Sequence, residues 1–577
     1  MTKMSVSQDH SVRVAVAQFY SHTNVEENLE LVIRYMRDAS EAGCQLLVTP
    51  ENSNRVRSYA SREECFELSE NLDGDFVAGL RKAADDLNIM LAIGVDLKGE
   101  QSPTVYIAQI LIDNDGRILH VHHKTVFWDY EYTLFTPGSK PLEVIDTRIG
   151  RVGQLMCADG IVPEVPRILS LNGAQILLNS LNSRGPDEMR VHEPLRAIEN
   201  HIWHLAANTV GGPSDGYPWM GGSQIISPDG EILACAGETE EGMVFSDITP
   251  ATSHPKILRD VGKLNDFRRP ELYGDLQLPI DSLPAASMYG PVGPGQDPKV
   301  LRVGVLQTSW YHSQAWTLKR IEMQIEYASS QGAHIGIFPE LFVHERNSPR
   351  ANPRAAAKIG AQALAIVQES AKEHSLWVVA SLVEGAGDRY YSTVFLVDDQ
   401  GNIHSHYRKA HLSSSEAEWA TRGNELVVAQ TPLGRFGLMI GDEVWLPEVA
   451  RILSLRGAEV ILHPVDWNRS EAAHQAATER TEENRTHLVS VARTDNPAGV
   501  GSQIVFADRF APGQPIALMR YPSAAWTRPG FEEDLFVDLD LRDSHSKVQG
   551  HHLDPLATRQ PHLYGAMSRP FLEGIDA

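Results

Sequence analysis

Two long stretches of this 577-residue chain repeat one another, and this repeat constrains the fold more than any other feature. Residues 165–174 (VPRILSLNGA) and 449–458 (VARILSLRGA) agree at eight of ten positions, at an offset of 284. Upstream, residues 12–18 match residues 301–307. Because a long internal repeat indicates a duplicated structural unit, the sequence predicts two domains, each long enough to bury its own core.

The spacing of polar residues also recurs. A glutamate follows a strand glutamine by 33 residues in each repeat, and a lysine precedes a second glutamate by 7 residues. These residues are Gln18, Glu51, Lys124 and Glu131 in the first repeat, and Gln307, Glu340, Lys409 and Glu416 in the second. Chance similarity of two unrelated α/β domains does not explain matches in this order.

Short β-branched runs alternate with stretches that have helical periodicity. The predicted strands of the first repeat are residues 12–17, 46–49 and 90–94, and the predicted helices are residues 25–42 and 75–87. Strand–helix–strand order predicts an α/β layered fold. Residues 108–113 and 117–122, joined at Asn114-Asp-Gly116, predict a hairpin, so the sheets are expected to be mixed.

Proline and glycine concentrate between the repeats, at residues 275–299. We interpret that stretch as a linker. The predicted domains are therefore residues 1–274 and residues 300–577.

Composition excludes several classes of function. The net charge is −24, without a block of like charge, which argues against nucleic acid and anionic membranes as partners. No uncharged apolar stretch approaches 18 residues, and residues 1–10 lack the apolar core of a signal peptide. The four cysteines do not suggest a disulfide framework, so we expect a cytoplasmic protein with reduced thiols. The pairs His122-His123 and His551-His552 lack nearby ligands, so neither a metal nor a cofactor is expected.

Four polar residues of the first repeat have the chemistry of a cysteine hydrolase. Glu51, Lys124 and Cys157 each follow a predicted strand, and Glu131 begins the segment after Lys124. Side chains at strand ends in α/β sheets face the usual ligand crevice. A cysteine at a strand-to-helix turn lies near a helix N-terminus, which favours the thiolate. Asp129 is the alternative to Glu131 as the inward-facing acid.

This arrangement resembles the nitrilase, or carbon–nitrogen hydrolase, superfamily, over residues 10–274 and again over 300–565. The matching segments are Pro-Glu51, Lys124 with Glu131 and Phe-x-Pro-Gly138, Cys157-x-Asp159 with Pro-Glu164, Arg196-Ala-Ile-Glu-Asn200, Asn208 and Gly222-Ser223. The resemblance implies a four-layer α-β-β-α sandwich in each repeat. It also implies that Cys157 forms a thioester, Glu51 acts as general base and acid, Lys124 stabilises the oxyanion, and Glu131 positions the substrate.

Other residues receive weaker assignments. Arg55 and Arg184 are candidates to bind a substrate carboxylate. Four aromatic residues either line the pocket or pack against its walls: Phe127, Trp128, Tyr130 and Trp219. Arg196, Glu199, Asn200, Asn208 and Ser223 are interpreted as structural, and Cys44, Cys65 and Cys235 as buried apolar fillers.

The second repeat places Gly441 where the first has Cys157, and it contains no cysteine. Glu340, Lys409 and Glu416 remain, but no thioester can form on glycine. We expect this repeat to pair with the first inside one chain as a pseudo-dimer. A retained ligand pocket is the alternative, and further homo-oligomerisation is left open.

The predicted function is hydrolysis of a non-peptide C–N bond in a small amide or ureido (N-carbamoyl) substrate. Compared with the family, Val126 replaces a histidine typical of many amidases, and Gly160-Ile161 replace arginines of carbamoyl-amino-acid hydrolases. Nitrile-cleaving members usually carry glutamate at the position of Asp159, which favours amides or ureido compounds here. Nitrile hydrolysis, acyl transfer and a non-catalytic scaffold are the alternatives.

Overall fold

The computed structural model describes residues 11–212, 218–288, 299–468, 472–508, 523–549 and 553–569. These residues form two compact units. The first domain contains the described residues up to 258 and those after 547, and the second domain contains the described residues from 259 to 547. The glycine- and proline-rich residues 291–295 and the pair His551-His552 lie outside the described residues.

The strands and helices of the first domain follow in chain order. The strands are β1 (Val12–Gln18), β2 (Leu46–Val48), β3 (Met90–Lys98), β4 (Val105–Ile112), β5 (Ile118–His123), β6 (Val144–Thr147), β7 (Gly150–Met156), β8 (Ile176–Ser180), β9 (Trp203–Ala207), β10 (Val210–Gly211), β11 (Trp219–Met220), β12 (Gln224–Ile226), β13 (Ile232–Cys235), β14 (Gly242–Ile248) and β15 (Ile257–Leu258). The α-helices are α1 (Val25–Glu41), α2 (Arg62–Leu68), α3 (Asp75–Leu87), α4 (Glu131–Leu134), α5 (Glu164–Leu171) and α6 (Glu193–Asn200).

Two six-stranded mixed sheets form the centre of the first domain, in the orders β14-β1-β2-β3-β4-β5 and β13-β12-β9-β8-β7-β6. Successive side chains of a strand point to opposite faces. Val14 and Val16 of β1 therefore pack toward the second sheet, whereas Ala15 packs toward α1 and α3. Helix α5 covers the outer face of the second sheet, where Leu169 lies against Gly153. The predicted α-β-β-α sandwich and the hairpin of β4 and β5 are confirmed.

The second domain repeats this topology. Its strands are β16 (Gly262–Lys263), β17 (Val300–Gln307), β18 (Ile335–Ile337), β19 (Trp377–Ala386), β20 (Arg389–Val397), β21 (Ile403–Arg408), β22 (Val428–Gln430), β23 (Arg435–Leu438), β24 (Val460–Val465), β25 (His487–Ala492), β26 (Gln503–Val505), β27 (Ala524–Trp526) and β28 (Glu533–Asp540). Its α-helices are α7 (Leu264–Phe267), α8 (Gln314–Ser330), α9 (Ser348–Ala351), α10 (Pro353–His374), α11 (Pro447–Leu455) and α12 (Ala473–Glu482). The sheets have the orders β21-β20-β19-β18-β17-β28 and β22-β23-β24-β25-β26-β27, which match the first domain strand for strand.

The last residues of each repeat belong to the compact unit that the other repeat mainly forms. Arg268, from the end of the first repeat, pairs with Glu448 of α11 at 2.9 Å. Arg559, from the end of the second repeat, pairs with Glu164 of α5 at 3.2 Å. The compact units change at residues 258 and 547. The division into residues 1–274 and 300–577 stays a prediction.

The predicted linker is also partly folded. Short 3₁₀ turns occupy Gly274–Gln277, Ile280–Ser282 and Pro284–Met288. Asp275 accepts a hydrogen bond from the Arg456 side chain at 2.6 Å, which fixes the start of this segment within the second domain. The pseudo-dimer pairing stays a prediction.

Candidate active site

Cys157 stands between β7 and a one-turn 3₁₀ helix, Cys157–Asp159. Its φ is +49°, a left-handed conformation that is uncommon and strained outside glycine. The Cys157 N–H donates to Asn179 Oδ1 at 2.9 Å, and Asn179 in turn donates to Glu193 Oε1 at 2.8 Å. Buried hydrogen bonds thus hold the sharp turn that presents the thiol.

Three of the predicted residues form one buried ionic cluster. Lys124 Nζ lies 2.8 Å from Glu51 Oε1 and 2.8 Å from the Glu131 carboxylate. Glu131 also accepts the Trp128 N–H at 2.8 Å, so its position at the start of α4 is fixed from two sides. Glu131, rather than Asp129, is the acid that contacts the lysine.

Arg57 completes this cluster and was missed in the sequence. Its Nη1 lies 3.1 Å from Glu131 Oε1 and 3.5 Å from Glu51 Oε1, and its Nε lies 3.0 Å from Asp96 Oδ1. Tyr59 donates to the other oxygen of Asp96 at 2.7 Å. The available signal was an arginine six residues after the glutamate in both repeats, Arg57 and Arg346.

The charges of the cluster set its proton affinities. Burial alone would raise the pKa of Glu51, but Lys124 and Arg57 hold it below its ordinary value. Burial outweighs the same cations at Glu131, whose pKa is raised. The resting site therefore contains an ionised Glu51 beside a charged Lys124, whose pKa the two carboxylates raise despite its burial.

The expected thiolate at Cys157 is wrong. Burial and the nearby Glu51 carboxylate raise the pKa of the Cys157 thiol well above its ordinary value, and Lys124 opposes this only in part. The 3₁₀ helix after the cysteine has three residues, too few to produce a strong helix dipole. The raised pKa favours the neutral thiol of Cys157.

Asp159 anchors the loop that carries the lysine. Its Oδ1 accepts the N–H groups of Thr125 and Val126, each at 2.9 Å, and its Oδ2 lies 2.8 Å from His122 Nε2. The residue is fully buried beneath the pocket. In the second domain Glu443 occupies the same position and contacts His411 and Tyr407 instead. The aspartate and the glutamate therefore have different hydrogen-bond partners in the two domains, and the inference from Asp159 to an amide or ureido substrate stays a prediction.

A pocket of about 630 Å³ opens above the cysteine. Its lining residues include Glu51, Arg57, Trp128, Glu131, Cys157, Arg184, Glu188 and Trp219. Two of the three predicted substrate contacts, Trp128 and Arg184, are therefore at the pocket, with the Arg184 guanidinium 3.8 Å from the centre of the Trp219 ring. Arg55 is not part of the lining and lies instead over the Tyr59 ring.

Glu188 is a second lining residue that sequence reasoning missed. It is 1% exposed, and its Oε1 has no hydrogen-bond partner in the described structure. Burial, together with repulsion from Glu193 and Asp187, raises its pKa well above the ordinary value. It begins a π-helical turn, Glu188–His192, a geometry that often marks functional sites. No motif or spacing in the sequence indicated that Glu188 would line the pocket.

The other residues assigned from the sequence are buried structural residues, apart from Cys235, which lies at the surface. Asn208 accepts the Ser183 N–H and donates to the Gly221 carbonyl, and Arg196 pairs with Glu199 at 2.7 Å, both buried framework contacts. Cys44 and Cys65 are buried as predicted. Cys235 is exposed, because β13 is the edge strand of its sheet and its residues face outward.

The second domain keeps the ionic cluster without the nucleophile. Lys409 Nζ lies 2.5 Å from Glu416 Oε1 and 3.2 Å from Glu340 Oε1. Gly441 has a φ of +53°, close to that of Cys157. Arg346, the equivalent of Arg57, turns away from the glutamates and pairs with Asp466.

The described residues contain neither a candidate metal site nor a helix suited to span a membrane. No group of three or more His, Cys, Asp or Glu there is placed to hold a metal ion. Among the helices in the described ranges, none has the length and apolar character to cross a bilayer.

The fold and the pocket that contains a glutamate, a lysine and a cysteine indicate a carbon–nitrogen hydrolase. Comparison with known proteins supports the same family. The model of the carbon-nitrogen hydrolase family matches residues 13–255 and again residues 302–499, so the chain belongs to that family.

Individual relatives each correspond to part of this chain. It is 28% identical over 254 residues to a protein named nitrilase from Pyrococcus abyssi, covering 43% of this chain and 93% of that one. It is 27% identical over 291 residues to omega-amidase NIT2 of Bos taurus, covering 48% and 96%. Among solved structures, a mutant of the Nesterenkonia AN1 amidase from the nitrilase superfamily aligns at 29% identity with a TM-score of 0.38, covering 42% and 92%.

Proposed function

We propose that the first domain hydrolyses the C–N bond of a small amide or N-carbamoyl amine through a thioester on Cys157. The observation that carries this proposal is the placement of Cys157 and Glu51 in one pocket, with Lys124 Nζ 2.8 Å from the Glu51 carboxylate. A thiol, a carboxylate base and a fixed cation are the groups that acyl transfer requires.

Acylation begins with a neutral thiol. Glu51 is ionised and accepts the thiol proton as Cys157 Sγ attacks the carbonyl carbon, so no free thiolate accumulates at rest. The negative charge that develops on the carbonyl oxygen is stabilised by Lys124 and by the Ala158 N–H, since N–H groups at the start of a helix have no acceptor within it. Glu51 then returns the proton to the leaving nitrogen, the C–N bond breaks, and ammonia or an amine departs.

Deacylation reverses the roles of the same groups. A water molecule replaces the departed amine, Glu51 takes one of its protons, and the resulting hydroxide attacks the thioester carbon. The C–S bond breaks, the carboxylic acid is released, and Glu51 returns the proton to the Cys157 sulfur. Glu131 and Arg57 keep Lys124 and Glu51 in place through both half-reactions.

The pocket lining supports a small, polar substrate. A volume of about 630 Å³ is within the range of small-molecule sites. Arg184 over Trp219 offers a cation for a substrate carboxylate, and Trp128 offers an apolar wall. Glu188, neutral because of its raised pKa, can donate a hydrogen bond to an uncharged polar group. A relative named omega-amidase supports an amide as the substrate.

Nitrile hydrolysis is the second candidate, because a relative from Pyrococcus abyssi is named nitrilase. A nitrile would form a thioimidate on Cys157, and two waters would be consumed for each ammonia released.

The test is ammonia release from matched primary amides, N-carbamoyl amines and nitriles, with and without a remote carboxylate. Wild type is compared with Cys157→Ala, and Cys235→Ala serves as the control because that cysteine is exposed and outside the pocket. We expect release that Cys157→Ala abolishes and Cys235→Ala preserves, together with an acyl adduct on Cys157 in intact mass spectra. Turnover that survives Cys157→Ala would exclude the thioester.

A further inference from the structure

The second domain contains a polar cavity of about 190 Å³ at the position of the lost active site. Glu340, Glu416 and Asp442 line it around the Lys409 ammonium, and Leu341 contributes an apolar wall. Asp442 stands where the first domain has Ala158, next to the glycine that replaced the nucleophile. The loss of the cysteine therefore coincides with the gain of a carboxylate.

The balance of charge also differs from that of the first site. In the first domain Lys124 and Arg57 together face Glu51 and Glu131. In the second domain Lys409 faces Glu340, Glu416 and Asp442, whereas Arg346 is engaged by Asp466 and Arg493 by Asp495. The Asp442 carboxylate accepts no hydrogen bond within the described part of the chain.

The crowding of carboxylates has a measurable consequence. Burial and repulsion from Glu416, Asp466 and Asp442 outweigh Lys409 and raise the pKa of Glu340 to about 8. Burial and the neighbouring carboxylates also raise the pKa of Asp442 to about 7. A bound cation would relieve this repulsion.

A separate observation shows that the cavity has an unused hydrogen-bonding group. His344 lines it, is 1% exposed, and has no partner on either ring nitrogen within the described residues. Burial and the adjacent Arg493 lower the pKa of His344 to about 4, so the ring is neutral and one nitrogen accepts. Buried polar groups are normally hydrogen-bonded, so an unpartnered imidazole in a cavity wall points to a ligand with N–H or O–H donors.

We propose that this cavity binds a small primary ammonium ion, either ammonium itself or a short alkylammonium. The charged head would lie among Glu340, Glu416 and Asp442, donate to His344, and direct any alkyl chain toward Leu341. The size fits, since a water molecule occupies about 30 Å³ of liquid.

Anions fit less well, although arginines also line the cavity. Arg346 pairs with Asp466, Arg350 pairs with Glu418 at 2.7 Å, and Arg493 pairs with Asp495 at 2.8 Å. These guanidinium groups already have carboxylate partners, whereas the carboxylates around Lys409 outnumber it.

The experiment is isothermal titration calorimetry of the full chain in amine-free phosphate buffer at constant ionic strength. The titrants are ammonium, methylammonium and propylammonium chlorides, with tetramethylammonium and sodium acetate as controls. We expect the primary ammonium ions to bind, tetramethylammonium to fail because it has no N–H donor, and acetate to fail because of its charge. The strongest of the three primary ions identifies whether the site favours free ammonium or an alkylamine.

Substitutions of cavity residues test whether the ammonium ion binds in the second-domain cavity. Asp442→Asn should weaken binding about tenfold, the loss expected for one charge-assisted hydrogen bond, and His344→Leu should weaken it as well. The matched control is Glu188→Gln, which alters a buried acid of the first pocket and should leave the affinity unchanged. Thermal melting confirms that each variant is folded. Equal binding by wild type and both second-domain variants, loss of binding in Glu188→Gln, or binding of acetate would overturn the proposal.

The readout does not depend on turnover. Repeating the titration on Cys157→Ala should give the same affinity, so a failure of the proposed hydrolysis leaves the binding result intact.

Discussion

Cys157 and Gly441 turn the chain in the same way, with φ values of +49° and +53°, yet they stand in different surroundings. In the first domain the turn is held by Asn179, which accepts the Cys157 N–H. In the second, His463 occupies the equivalent position and lies 2.8 Å from the Gly441 carbonyl. The comparison shows that the second domain keeps the same turn between strand and helix although a glycine replaces the cysteine.

The space above the turn differs as well. A Cβ on Gly441 would lie 2.4 Å from Glu340 Oε2, a distance that real Cβ atoms essentially never show. The glutamate of the second site has therefore closed over the position of the nucleophile, whereas Glu51 leaves room for Cys157. The second repeat therefore differs from the first in the position of this glutamate as well as in the missing cysteine side chain.

The largest difference between the two sites should appear when their glutamates are neutralised. Glu51→Gln should lower kcat about 10²–10⁴-fold, because it removes the general base, whereas Glu340→Gln should leave turnover unchanged. Steady-state kinetics on the best amide of the panel measures both. A comparable loss in the two variants would mean that the second site takes part in turnover.

The two arginines should also separate the sites. Arg57→Gln leaves buried carboxylates without a partner and should lower the free energy of unfolding by about 3–5 kcal/mol, as measured by denaturant titration. Because Arg57 helps to lower the pKa of Glu51, its loss should also move the acid limb of kcat/KM to higher pH.

Arg346→Gln is the matched control for that change. It should leave the pH profile in place, since Arg346 contacts Asp466 and not Glu340. An unshifted acid limb in Arg57→Gln would show that the arginine has only a structural part.

Introducing a cysteine at position 441 should not give the second domain hydrolase activity. Gly441→Cys, made in the Cys157→Ala background, should remain inactive and should lower the free energy of unfolding by about 1–3 kcal/mol, the usual cost of overpacking. Ammonia release and denaturant titration check the two parts. Measurable turnover in this double variant would mean that Glu340 moves aside readily.

The last comparison concerns the dependence of stability on pH. The pKa of Glu340 is about 8 in the folded protein, above its ordinary value of 4.5, so its contribution to stability is full below the unfolded value and is lost as the pH rises through 8. Glu340→Gln does not titrate. Its stability relative to wild type should therefore improve steadily between pH 5 and pH 8.5 in denaturant titrations, and a constant difference would contradict the raised pKa.

Much of this architecture was predictable because it depends on local patterns. The hydrophobic periodicity of residues 75–87 and the Asn-Asp-Gly turn at 114–116 specify their elements without long-range information. The grouping of Glu51, Lys124 and Glu131 followed from strand ends and from the resemblance to a family. The empty nucleophile position followed from an alignment of the chain with itself.

Other features depend on tertiary context and were out of reach. The spacing of Arg57 from Glu51 recurs in Arg346 and Glu340, but only the folded loop shows that Arg57 meets the two glutamates. The proton affinity of Cys157 was judged from its place before a helix, whereas burial and Glu51 dominate. The exchange of the repeat ends depends on pairs such as Arg559 and Glu164, which are 395 residues apart.

That exchange has a consequence for how the protein is made. Gln560 donates to the Thr125 carbonyl at 2.6 Å, directly beside Lys124, and Arg559 pairs with Glu164 on the helix that follows Cys157. Because translation proceeds from the N-terminus, residues 11–258 are synthesised several hundred residues before these two contacts become available. A chain truncated before residue 559 lacks both contacts.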